Sequence, residues 1–240
     1  MGLYAGVDAC KKGKWVIAVI DDALVPGELS GVVRGDFGAV LDATASHDVV
    51  VVDMPIGLSA TSQPGGRDAD VAARRILGSA LKSSVFPAPA RPVIAAKTYD
   101  EANRLAKTYS VEEKGLSPPA WGIVPRIRDV DEHMTPDTQR RVVEGHPELS
   151  FTALNGNDPL EHGKSSAAGI LLRMRLLDGA GLLRVVEKSA TRAGKCASLD
   201  DVLDAVALAW TARRKAHGEA RRIPEHAPAD ARGLRMEMWY

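Results

Sequence analysis

The chain has 240 residues, with 31 Lys and Arg against 31 Asp and Glu and a formal net charge of zero. That balance excludes a protein that coats nucleic acid by bulk positive charge, the usual electrostatic footprint of phosphate contact. A hydrophobic fraction of 45%, a charged fraction of 26% and aromatics at 5% describe an ordinary folded chain and argue against a base-stacking platform for single strands.

Residues 3–8 and 15–20 are β-rich runs joined by the polar connection Ala9-Cys10-Lys11-Lys12-Gly13-Lys14, and they predict a hairpin. A third strand is expected near 28–33. An amphipathic helix follows over about 36–46, where Phe37, Val40 and Leu41 fall at helical spacing. Residues 48–53 form a continuous apolar run between aspartates, which suits a central strand buried on both faces.

From 59 to about 140 the pattern turns helical and irregular. Helices are expected near 67–77, 99–113 and 121–133, and the proline-rich joint at 84–92 can neither continue a helix nor enter a sheet interior. A short strand at 141–145 leads into His146-Pro147-Glu148 and a helix; two more helices are expected at 165–178 and 199–217. The tail at 234–240 alternates as a final strand would. No internal repeat or low-complexity linker interrupts the chain. It therefore reads as one α/β domain over 1–240, with three antiparallel strands, a parallel return, flanking helices and a long helical insertion at about 59–140.

Two cysteines, Cys10 and Cys196, cannot build a disulfide framework or a four-ligand zinc site. The first residues lack a basic, signal-like start, and no run approaches the ~18 apolar residues of a membrane span. The expectation is a cytoplasmic protein without a membrane partner.

If the strand at 48–53 lies parallel to that at 3–8, the crevice beyond their C-terminal ends is where ligands bind in such sheets. Asp8 ends one strand and Asp53 the other. Turn chemistry accounts for either alone, but two carboxylates forced together repel unless a cation lies between them. Hard oxygen ligands of this kind suit Mg²⁺ or Mn²⁺. The late segment from Ser198 to Trp210 supplies a third carboxylate. Asp201 fits the third helical position of a capping box behind Ser198. Asp204 lies beyond the first turn on a helix apolar almost all round, where a carboxylate is costly unless paired or bound to metal.

Other candidates carry structural readings beside functional ones. His146-Pro147-Glu148 is a good helix start, yet Glu148 would join the acidic site, or His146 shuttle a proton, equally well. Gly163-Lys164-Ser165 ends like a phosphate loop, but Asp158 stands where that loop requires glycine; Lys164 remains a candidate anion contact at a helix start. Arg67, Arg91 and Arg126 flank turns and are candidate phosphate clamps, although solvated surface arginines look the same. No nucleophile elbow, His-Glu-x-x-His or dinucleotide fingerprint is present. Residues 67–97 carry six Lys or Arg against two Asp or Glu, 164–195 seven against two, and 213–222 five against one, so the zero net charge is a cancellation. Locally basic segments beside an acidic crevice are compatible with holding a phosphate.

Gly6-Val7-Asp8 before a hairpin, Val51-Val52-Asp53 on a buried strand and Asp201-x-x-Asp204-Ala205 on a late helix together resemble the RNase H-like superfamily. The helix is similar to that of Holliday-junction resolvases. More closely, Asp53-Met54-Pro55-Ile56-Gly57-Leu58, Gly66-Arg67-Asp68-Ala69-Asp70, Ser84-Val85-Phe86-Pro87, Trp121-Gly122-Ile123 with Pro125-Arg126-Ile127, and His146-Pro147-Glu148 with Phe151 resemble DUF429, a family of predicted RNase H-like nucleases. The resemblance implies an RNase H-like mixed sheet of about five strands and a metal-dependent phosphodiester hydrolase acting on nucleic acid or nucleotides. In that reading Asp8 bridges two Mg²⁺ or Mn²⁺ ions, Asp53 and Asp204 complete the shells, and Asp201 or Glu148 orients the attacking water. The alternatives are a non-catalytic RNase H-like binding or scaffold protein and an actin- or sugar-kinase-like phosphotransferase, which needs two such lobes where the sequence offers one.

Overall fold

The computed structural model describes residues 1–11 and 13–240. Strands β1 (Leu3–Cys10), β2 (Lys14–Asp21) and β3 (Gly31–Arg34) form an antiparallel meander. The chain crosses through helix α1 (Phe37–Ala43) to β4 (Val49–Val52), which lies parallel to β1; β5 (Val142–Glu144) adds in parallel beyond it. The order β3-β2-β1-β4-β5 is the mixed five-stranded sheet expected from the sequence. Lys12, in the expected hairpin connection, lies outside the described residues.

The apolar runs are continuous because the strands are buried on both faces, and alternate residues enter different cores. On one face Tyr4, Val16, Ala18, Ile20, Val49 and Val51 pack with Leu203, Val206 and Ala209 of the long helix that spans Leu199–Ala216. On the other, Ala5, Val7, Trp15, Ile17, Val50 and Val52 pack with Phe37, Ile127 and Val130. Between β4 and β5 run α2 (Asp68–Leu81), α3 (Arg91–Ile94), α4 (Tyr99–Thr108) and α5 (Pro118–His133). The proline joint thus ends in a short helix, with Pro92 in the first turn, where its missing N–H costs nothing. After β5 come α6 (Pro147–Leu154), α7 (Ala167–Gly179), α8 (Leu183–Ala193) and α9 (Leu199–Ala216).

The structure adds one element and corrects one expectation. Helix α8 was not anticipated; it buries Val185, Val186, Ser189 and Ala193 and lies against β2 and β3. The tail does not extend the main sheet. β7 (Met238–Trp239) instead pairs antiparallel with β6 (Arg222–Ile223) and meets the edge of the large sheet through a parallel bridge from Trp239 to Gly145.

Helix α9 crosses β1 so closely that a Cβ on Gly6 would stand 2.0 Å from the Ala205 carbonyl oxygen and 2.2 Å from the Ala209 nitrogen. Backbone on both sides leaves nothing flexible to yield. Glycine inside a strand therefore marks this backbone contact. Gly6→Ala is expected to destabilise the fold by about 3 kcal/mol or more, at or beyond the upper end for core overpacking. A urea midpoint unchanged from the parent would refute the tight crossing.

Candidate active site

Register places the first two carboxylates. Val7 pairs with Val52, and the Asp53 amide donates to the Val7 carbonyl at 3.0 Å, so Asp8 and Asp53 are the next residues outward on adjacent parallel strands. Strand alternation turns Asp8 toward the same face as Tyr4 and Gly6, the face covered by α9. Asp204 precedes Ala205, the α9 residue that meets Gly6. The crossing that demands glycine thus carries the third carboxylate to the strand ends.

Burial and like charge dominate the electrostatics. Asp8 is 6% exposed, and its Oδ1 accepts the Ala9 amide at 2.7 Å. Burial, then the charges of Asp53, Asp204 and Asp201, push its pKa well above the usual carboxylate range, against the opposing pull of Lys164. Asp53 is also raised, chiefly by burial, with His146 and Lys164 opposing. Asp204 is 1% exposed and is pushed up to about 7 by burial, which outweighs Lys164. Its Oδ1 is buried with no hydrogen-bond partner among the described residues.

Lys164 is the cation these groups share. Its Nζ lies 2.5 Å from Asp204 Oδ2 and 4.0 Å from Asp200 Oδ2, with the side chain 42% exposed. Burial disfavours its charge, but Asp204, Asp8 and Asp53 together hold its pKa above the ordinary lysine value. A cavity of about 260 Å³ opens here, lined by Asp8, Asp53, Lys164, Asp201, Glu144 and His146 among others. Asp8, Asp53 and Asp204 offer a divalent ion the carboxylate oxygens it prefers, one of them unpartnered. As placed, no three His, Cys, Asp or Glu side chains among the described residues stand close enough to enclose a metal.

The remaining candidates separate by what already satisfies them. Asp201 lines the cavity but completes the α9 capping box, its Oδ2 accepting the Ser198 amide at 2.8 Å. His146 caps α6, with Nδ1 accepting the Glu148 amide and Nε2 3.3 Å from the Ser84 carbonyl. Glu148 is held by an ion pair of its Oε2 with Arg173, 2.5 Å apart and buried on both sides, which is a sufficient structural role for it.

The three predicted phosphate clamps are likewise engaged elsewhere. Arg67 is buried, bonded to Asp70, to Glu144 and to the Ile56 and Gly57 carbonyls, which leaves its guanidinium no free donor for a phosphate. Arg91 pairs with Asp131 and Asp230. Arg126 stacks 4.5 Å over the Trp15 ring and donates to the Cys10 and Lys14 carbonyls, tying down the hairpin. Glu144, which sequence reasoning passed over, ends β5 where Asp53 follows β4 and Asp8 lies two residues before the end of β1; an acidic residue closing an apolar strand run was its signal. Burial pushes it up to about 7, with Arg67 opposing.

The chain belongs to the family described as protein of unknown function (DUF429), which matches residues 6–229. No curated protein and no solved structure matches it.

Two measurements separate the unsatisfied carboxylate from the paired one. Folded Asp204 keeps its proton to about pH 7, whereas the unfolded chain loses it near 4, so the folded state binds the extra proton between these values. Its contribution to stability is present below about pH 4 and is lost as pH rises toward 7. In EDTA, the parent's stability relative to Asp204→Asn should therefore fall across that window, by up to about 1 kcal/mol per pH unit; parallel pH profiles would show an ordinary aspartate. Glu148→Ala, which strands the buried Arg173 charge, should cost about 3–5 kcal/mol in urea unfolding.

Proposed function

We propose that this DUF429 member is a metal-dependent phosphodiester hydrolase with RNase H-like chemistry, acting on nucleic acid or nucleotides. The observation that carries this reading is the convergence of Asp8, Asp53 and Asp204 from three separate elements at the strand ends, with the buried Asp204 Oδ1 unpartnered. Every other deeply buried carboxylate of this region has an arginine: Glu148 has Arg173, and Asp70 and Glu144 share Arg67. The three that lack one are those a metal would use.

Asp8, Asp53 and Asp204 would hold Mg²⁺ or Mn²⁺, which acidifies water and places positive charge beside phosphoryl oxygens. The chain supplies the rest. Because His146 Nδ1 accepts the Glu148 amide, its hydrogen sits on Nε2 and faces the Ser84 carbonyl at 3.3 Å, so that His146 braces the cavity wall. Lys164 contributes a fixed positive charge on the same wall. Val85, Phe86 and Ile123 give the cavity an apolar side that limits water. Val85 also lines a larger cavity of about 550 Å³ bordered by Arg74, Lys82 and Lys114, so a substrate longer than one phosphate has room to continue among the inserted helices.

A second reading, a binding protein that keeps the sheet without the chemistry, is favoured by one observation: the Lys164–Asp204 ion pair already neutralises part of the site. Calorimetric titration with Mn²⁺ distinguishes the two. The hydrolase reading expects saturable binding, weakened in Asp8→Ala by more than the ~10–100-fold typical of residues that merely support a ligand. It also expects Mn²⁺-dependent cleavage of at least one of single-stranded DNA, duplex DNA, RNA, a four-way junction or a small phosphodiester. Binding that is absent, or equal in Asp8→Ala, overturns it.

A further inference from the structure

The acidic cavity has a larger neighbour among the inserted helices, and residues 82–89 form the wall between them. Ser84, Val85 and Phe86 line the carboxylate side, while Lys82, Ser83, Val85 and Pro87 to Pro89 line a cavity of about 550 Å³ on the other. That volume lies within the ~300–1,000 Å³ of sites that bury a small organic molecule. Resting on the hydrolase reading above for the kind of substrate, we propose that this second cavity is a nucleotide subsite. It takes one unstacked nucleobase with its phosphate, so the substrate is a single strand or a small nucleotide and not a continuous duplex.

The lining selects that occupant. Its floor is apolar and built of short or rigid side chains, Ala88, Val93, Ala106 and Leu116 with the rings of Pro87 and Pro89. Such surfaces pack against the faces of a single base without an aromatic platform. Ser62 Oγ accepts the Ala90 amide at 3.1 Å and Ser117 Oγ the Ala120 amide at 3.4 Å, which leaves each hydroxyl hydrogen to donate to the nitrogens and oxygens of a base edge. Among the lining charges Arg74, Lys82 and Lys114 stand against Glu112 alone, and Glu112 is paired with Lys114 at 2.8 Å. Just outside the lining, Glu113 and Lys107 add one charge of each sign. Arg74 donates to the Gly65 and Val85 carbonyls, the latter at 3.0 Å from Nη1, so its charge is fixed at the dividing wall. Lys82 is exposed at the start of the same wall. Arg74 and Lys82 thus suit a phosphate next to the scissile one. An inorganic anion would leave the apolar floor unused, and an acyl chain would leave the cations and hydroxyls unmatched.

Calorimetry with deoxyadenosine monophosphate on the full chain in EDTA reads this subsite without any metal. The parent is expected to bind saturably, and inorganic phosphate at the same concentration is expected not to displace the nucleotide. Lys82→Glu, on the exposed rim, should weaken binding about tenfold or more. Ala120→Trp, which fills the cavity from its half-buried wall, should abolish it; should that variant fail to fold, Lys82→Glu decides alone. A short fluorescent single strand should bind about tenfold tighter than the same sequence in a duplex, where the base must first be unpaired. No nucleotide binding, displacement by phosphate alone, unchanged affinity in either folded variant, or no preference for the single strand overturns the proposal. A parent that binds Mn²⁺ yet fails these tests keeps the metal site and loses the subsite; one that binds the nucleotide but no Mn²⁺ keeps the subsite and loses the hydrolase reading.

Discussion

Helix α9 lying directly on the backbone of β1 is the constraint on which the rest depends. The approach is possible because Gly6 has no side chain, and it sets the depth at which everything on α9 meets the sheet. Val202 to Ala209 are buried without a break, so the helix is gripped along more than one turn and cannot slide or roll cheaply. Asp204 inherits its position from that grip. Sheet register then places Asp8 and Asp53 side by side on the facing strand ends. The acidic cluster is thus a product of packing, its members brought together by the apolar residues around them.

How the molecule treats its other buried charges gives the cluster its meaning. Glu148 and Arg173 neutralise one another, and Arg67 satisfies both Asp70 and Glu144 while tying the start of α2 to the end of β5. These are closed groups in which donors and acceptors are largely matched. At the strand ends the same chain sets three carboxylates against one lysine and leaves one oxygen without a partner. A fold that balances charge so thoroughly a few residues away has the means to do so here.

The sheet was legible because buried strands write themselves as apolar runs: Val49 to Val52 and Trp15 to Ile20 could not easily be anything else. Asp8, Asp53 and Asp204 were legible as carboxylates in apolar settings that offered no partner nearby in sequence. The arginines were not. Arg67 finds Glu144 77 residues away and Arg91 finds Asp230 139 residues away, separations that no local pattern records. Glu148 was ambiguous for the same reason, since its partner Arg173 sits on another helix. Helix α8 had a readable apolar face in Val185, Val186 and Ala193, and was passed over. The tail's alternation was real, but strand character does not say which strand will be the partner, and β7 joined β6.

The order in which the site's parts occur along the chain has a bearing on synthesis. Asp8 and Asp53 belong to the first quarter of the sequence, whereas Lys164 and Asp204 lie in its last third. During translation the first two carboxylates leave the ribosome long before the helix that covers them, with the apolar α9-facing side of β1, β2 and β4 bare beside them. That face of the early strands stays uncovered until a late helix arrives to seat on Gly6. The proposed cation site would then be complete only in the finished chain.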